Sequence, residues 1–278
     1  MPRSAPTVRQ RRLGQDLRKL REEREVSADE VGAQLGWSGS KVTRIETAFS
    51  RVSPADVSHM LDVYGVSSEV RAALLQLAHD AQQRGWWTEF GDVFATSYVA
   101  LEDGCKDAYE FEPQLVPGLL QTEQYARTVI AATMSGDPEQ IERHVRARLA
   151  RKALLSREDP PPPTLHAIIA EPALRWPIGG PEVMRGQLQA LLERGEQPNI
   201  EIRVLPMSAG EHAGLDGPFV IFTFGPDDFP DVAYTPGQAG GNYVESRDQV
   251  QRVTLNWNRI ADKALSEETS AAWIADLI

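Results

Sequence analysis

The residues able to do chemistry are few in this 278-residue chain, which holds one cysteine and five histidines. Thiol catalysis needs a histidine near the sulfur, and no Cys-His spacing of that kind occurs. Cys105 therefore reads as a small buried residue on a helix. Glu211, His212 and Asp216 form a short oxygen-rich cluster with one imidazole, a pattern that suits a turn better than a metal site. Gly179-Gly180 and Gly240-Gly241 lack the strand-to-helix setting of a phosphate loop and read as turns. No paired-carboxylate or Ser-His-Asp pattern is present, so the sequence predicts no enzyme, no metal and no cofactor, and leaves any ligand-binding residues unassigned.

What remains is charge. The chain carries 29 basic and 40 acidic residues, a net −11 that argues at first against nucleic acid. Its distribution reverses that reading. Residues 1–24 hold eight basic residues against three acidic ones, a local +5, and the first 52 residues net +4, leaving −15 on the rest. Such asymmetry marks a nucleic-acid-binding part joined to an acidic body, and charge alone fits a solvated basic helix equally well.

The elements that would position these charges are legible next. Leu13, Leu17 and Leu20 recur at helical spacing. Ser27-Ala28-Asp29-Glu30 reads as a capping box opening a short helix with Val31 and Leu35 on its apolar face, and Gly36 ends it. Ser38 caps a third helix, with Val42 and Ile45 inward. Ser53-Pro54 starts a fourth along Val57, Met60, Leu61 and Tyr64, closed by Gly65. Ser67 or Ser68 opens a fifth along Val70, Leu74, Leu75 and Ala78. The turn between the second and third helices is short, as a helix-turn-helix requires. Gly32, mid-helix at a cost of about 1 kcal/mol relative to alanine, lets those two helices approach closely.

Residues 12–66 resemble the Cro/phage-repressor (XRE-type) helix-turn-helix, with the run from Ser27 to Glu46 in the place of its motif. In that family the third helix enters the major groove and its N-terminal residues meet base edges. The resemblance implies that Gly39, Ser40, Lys41 and Arg44 face the groove, with Ser38 and Thr43 nearer the phosphates of double-stranded DNA. Gly39 stands where the family has a long polar residue, and Ala28 is a similar departure, so discrimination falls mainly on Lys41 and Arg44. Arg21 and Glu46 align with a basic–acidic pair that ties the first helix to the third, which implies that they orient the recognition helix without touching bases.

Beyond about residue 84 the chain is acidic, with scattered aromatics beginning at Trp86-Trp87. Thr122 caps a helix through Val129, and Asp137-Pro138 starts a long one reaching Leu155. Prolines 160–163 read as a stiff extended spacer. Strand-like segments follow at 165–170, 200–205, 219–224 and 232–234, with a helix from 181 to about 193 and a last one near 249–264. The prediction is multi-domain: a basic arm over 1–11, an all-α five-helix helix-turn-helix domain over 12–84, and an α+β regulatory or partner-binding domain over 85–278.

This second part also resembles a known domain. Glu112-Pro-x-Leu-Val-Pro-Gly-Leu-Leu-Gln-Thr-x-x-Tyr-Ala-Arg127, Ala147-Arg148-Leu149-Ala-Arg151, Leu174 with Gly179-Gly180, and residues 202–206 with Gly210 and His212 are similar to the signature of a C-terminal domain of actinobacterial XRE-type regulators. It occurs in Streptomyces regulators of development and antibiotic production, some described as antitoxin-like. Glu171-Pro172 and Trp176 depart from its usual Glu-Ala and Arg. The resemblance implies a homodimeric transcription factor answering to a small-molecule effector or to a small protein from a neighbouring gene. The single cysteine, the absence of an apolar leader, and apolar runs far short of the roughly 20 residues that span a bilayer lead to the expectation of a cytoplasmic, nucleoid-associated protein with no membrane contact.

Overall fold

A computed structural model of the chain describes residues 7–50, 52–82, 86–90, 92–93, 96–134, 136–225, 230–238 and 240–278. The described residues divide into two compact units, one taking in the helices up to Gly104 and the other running from Cys105 onward, with Asp92 and Val93.

Serine and threonine punctuate the first unit. Thr7 and Gln10 form a reciprocal capping box that starts α1 (Val8–Glu23). Residues 8–11 of the expected arm thus belong to the first helix, and residues 1–6 lie outside the described residues. Ser27 and Glu30 make the second box and open α2 (Ala28–Leu35), which Gly36 closes in the left-handed region at φ 67°. Ser38 caps α3 (Gly39–Glu46), Ser53 caps α4 (Pro54–Tyr64), and Ser67 accepts from the Val70 amide at the start of α5 (Ser68–Gln82). A 3₁₀ turn (Trp86–Phe90) and α6 (Thr96–Gly104) complete the unit. Leu13, Leu17, Val31, Val42, Ile45, Val57, Met60, Leu61, Tyr64 and Leu74 fill one core, so apolar burial sets how the short helices pack. Gly32 has the steric reason the sequence suggested. A Cβ there would lie 2.9 Å from the Trp37 carbonyl oxygen and from the Gly39 nitrogen, both backbone atoms of the turn into α3.

The second unit is a six-stranded mixed sheet with helices. In chain order it runs β1 (Asp107–Glu112), α7 (Glu123–Thr133), α8 (Pro138–Lys152), β2 (Thr164–Ala170), α9 (Glu171–Arg175), α10 (Pro181–Gly195), β3 (Ile200–Leu205), β4 (Phe219–Thr223), β5 (Val232–Thr235), β6 (Asn242–Val244), α11 (Arg247–Ala261) and α12 (Glu267–Ala275). The strand order is β3-β2-β1-β4-β5-β6. β1, β2 and β3 are parallel and joined by helical crossovers, and β4, β5 and β6 add antiparallel. One face of the sheet sets Phe111, Ile168, Phe219, Ile221 and Ala233 against Val250, Trp257 and Ile260 of α11. By the period of two, the other face of β1 carries Ala108, Glu110 and Glu112.

Several sequence expectations need correction here. The helix expected from Asp137 to Leu155 ends at Lys152, and a 3₁₀ turn (Ala153–Ser156) takes its place. The helix expected near 249–264 is α11, which starts two residues earlier at Arg247 and stops three earlier at Ala261, and α12 follows it. β1, β6 and α12 were not expected. Cys105 is buried but lies just past the end of α6. The proline run, read as a stiff extended spacer, sits inside the crossover from α8 to β2.

Candidate nucleic-acid interface

One ion pair ties α1 to the last residue of α3. Arg21 on α1 donates from Nε to Glu46 Oε1 (2.7 Å) and from Nη2 to Glu46 Oε2 (2.9 Å), while its Nη1 donates to the Val26 carbonyl (2.9 Å). A planar guanidinium thus binds the last turn of α3 and the loop into α2 at once. The Glu46 side chain is only 3% exposed and that of Arg21 14%. Glu46, through its hydrogen bond, raises the Arg21 guanidinium above its usual range, and burial with the nearby Glu46 charge pushes the Tyr64 phenol up.

Each candidate residue of α3 has a distinct place. Ser38 is exposed, accepts from the Lys41 amide (3.3 Å) and shares a hydrogen bond with the Ser40 hydroxyl (3.1 Å). Ser40, Thr43 and Arg44 are exposed, and Thr43 donates back to the Gly39 carbonyl (3.1 Å). Gly39 is half-buried, and a Cβ there would lie 1.8 Å from Asp29 Oδ1 and 2.9 Å from the Asp29 Cα. Its glycine therefore answers to the packing of α2 against α3. Lys41 is half-buried. Its Nζ lies 3.3 Å from Asp56 Oδ1 on α4 and 3.4 Å from the centre of the Trp37 ring. Arg44 has no ion-pair partner among the described residues.

Sequence reasoning missed four residues here. Thr47 is exposed one turn beyond Thr43, to whose carbonyl it donates (2.7 Å), and it extends the stripe Ser40–Thr43–Arg44–Thr47. Its spacing of four from Thr43 was the available signal. Phe49, 64% exposed just past α3, had no such signal. Nor did Asp56 and Trp37, whose contact with Lys41 is tertiary.

The second unit has its own polar centre. Glu112 on β1 is pushed up to about 8, first by burial and then by Glu110, with Arg148 opposing. Arg148 donates to Gln121 Oε1 (2.8 Å), and Lys152 Nζ donates to the Gln121 carbonyl (2.8 Å). Burial lowers Lys152. Gln121 Nε2 donates to the Val116 carbonyl (2.8 Å), Tyr125 Oη accepts from the Val116 amide (3.2 Å), and Gln187 bonds Thr122 N and Leu120 O. These polar side chains mostly satisfy the backbone of the loop after β1. Elsewhere in the unit, Trp176 is 56% exposed. His212 accepts from the Gly214 amide (3.1 Å) in a turn, and Lys263 Nζ is held by the Ala209 and Glu211 carbonyls. Among the described residues no group of three His, Cys, Asp or Glu side chains is arranged to hold a metal ion.

A short, capped helix tied to α1 by an ion pair, with an exposed hydroxyl-and-guanidinium stripe, defines the class: a helix-turn-helix DNA-binding regulator. Residues 12–74 match the model of a helix-turn-helix domain, and residues 95–276 match that of a domain of unknown function, DUF5753. The second match spans more than half of the chain, and the protein belongs to that family. No curated protein and no solved structure matches it. Among the described residues no helix is long and apolar enough to cross a membrane.

Proposed function

We propose that this chain is a sequence-specific, XRE-type transcriptional regulator that inserts α3 into the major groove. In this reading Arg44 and Ser40 meet base edges, Ser38 and Thr43 lie nearer the phosphates, and Thr47 adds a methyl and hydroxyl contact. The observation that carries it is the Arg21–Glu46 clamp, which spends a buried ion pair on the aim of an eight-residue helix. One such module makes weak contact with DNA, so the protein works as a homodimer on two half-sites about one helical turn apart. The DUF5753 unit receives the signal, either a small molecule or, in the antitoxin-like form, a small protein from a neighbouring gene. It acts in the cytoplasm at the nucleoid. Arg44→Ala tests the reading: operator affinity should fall by about 1–3 kcal/mol with the melting temperature unchanged. Equal affinities in a gel-shift titration would remove Arg44 from the interface.

A further inference from the structure

The geometry points to Asp56 as a built-in competitor of DNA for Lys41, which makes it a positioning residue that restrains non-specific binding. The inference rests on the DNA-binding reading of α3 and goes beyond it. α3 carries two cations, Lys41 and Arg44. Arg44 is exposed, whereas Lys41 is drawn back over the Trp37 ring and paired with Asp56 across the α3–α4 contact. Asp56 is itself held in place, since its amide donates to Ser53 Oγ (3.0 Å) and its Oδ2 accepts from the Ser53 hydroxyl (3.0 Å). A carboxylate locked in the first turn of α4 cannot follow Lys41 outward or swing away from DNA.

The consequence is electrostatic. Non-specific affinity comes from cations that replace the counterions condensed on phosphates. Lys41 already has its counterion, covalently tethered as Asp56. Moving Lys41 to a phosphate would leave Asp56 uncompensated beside the DNA, so the exchange gains almost nothing. With both side chains about one-third exposed, the pair is weak enough to be undone by a single substitution. Arg44 is then the cation through which α3 engages DNA. That arrangement keeps phosphate attraction low and gives base contacts a larger share of the binding free energy.

The test uses the full-length protein and a random-sequence DNA duplex, with affinity measured over a range of salt concentrations. Asp56→Asn keeps an acceptor for the Ser53 cap and should bind the duplex about fivefold more tightly, with a log–log salt slope steeper by about 0.9, the equivalent of one added phosphate contact. Because losing any acidic residue favours DNA, the double variant Asp56→Asn/Lys41→Gln is decisive: it should lose both gains. Retention of the gain in the double variant, or an unchanged or weaker Asp56→Asn, overturns the inference. Lys41→Gln alone guards against a misfolded Asp56 variant. Its slope should match that of the wild type, whereas Arg44→Gln should flatten the slope by about 0.9, because on a duplex without the cognate base the Arg44 guanidinium falls back on a phosphate. If Lys41→Gln flattens it as much as Arg44→Gln does, Lys41 already contacts phosphate and the inference fails. If none of the forms binds the duplex, the DNA-binding reading itself falls.

Discussion

Glu46 in the first unit is buried and Glu112 in the second half-buried, and the protein answers the two carboxylates in opposite ways. Glu46 receives two hydrogen bonds from Arg21. Glu112 receives none from the described residues; it has Glu110 two positions along the same strand face and only the more distant field of Arg148, whose guanidinium serves Gln121. The first arrangement yields a hydrogen-bonded strut between α1 and the end of α3. The second yields a group that prefers its proton, pushed up to about 8. What separates the two sites is the bidentate guanidinium, which Glu46 has and Glu112 lacks.

The largest effect should come from breaking the strut. Glu46→Ala strands Arg21, 14% exposed, and should cost about 3–5 kcal/mol in denaturant unfolding. A loss below about 1 kcal/mol would show the pair to be equivalent to a surface bridge. The next effect is a pH dependence. Glu112 is held above its usual 4.5, so the stability tied to its proton is fully present below about pH 4.5 and is lost as pH rises through about 8. The melting temperature of the second unit should fall between neutral and mildly alkaline pH, and Glu112→Gln should flatten that fall. An unchanged profile would assign the titration to another group. The smallest effect belongs to a pair with the same bidentate form on the surface. Arg143 donates from Nε and Nη2 to Asp92 (2.6 Å each), which holds that carboxyl down at about 2. Both side chains face solvent, and Asp92→Asn should leave the melting temperature where it is.

How much was legible follows from where each signal lives. The helices of the first unit are bounded by local chemistry, with Ser27, Ser38 and Ser53 opening them and Gly36 and Gly65 closing them, so their bounds could be read from neighbours in sequence. β2, β3, β4 and β5 were visible as apolar runs for the same reason. β1 was not. Its sequence Asp-Ala-Tyr-Glu-Phe-Glu puts three carboxylates into a central strand, and only tertiary partners make that tolerable. β6 is three residues long, too short for any period to show. On α3 the positions followed from the resemblance, but the state of Lys41 did not, because Asp56 is 15 residues away and on another helix.

The place of β1 in the sheet also governs how the protein is made. Its parallel partner β2 and its antiparallel partner β4 both lie far along the chain, and Thr223 bonds back to Asp107 across 116 residues. Local helical contacts form quickly, whereas pairings that close long loops come late. A nascent chain can therefore have α1–α5 packed while the β4-facing edge of β1 still waits for its mate. An open strand edge invites other chains, and charged side chains are the usual defence. Asp107, Glu110 and Glu112 set three carboxylates along that waiting edge, so the residues that make the strand hard to recognise are also of the type that discourages pairing with other chains.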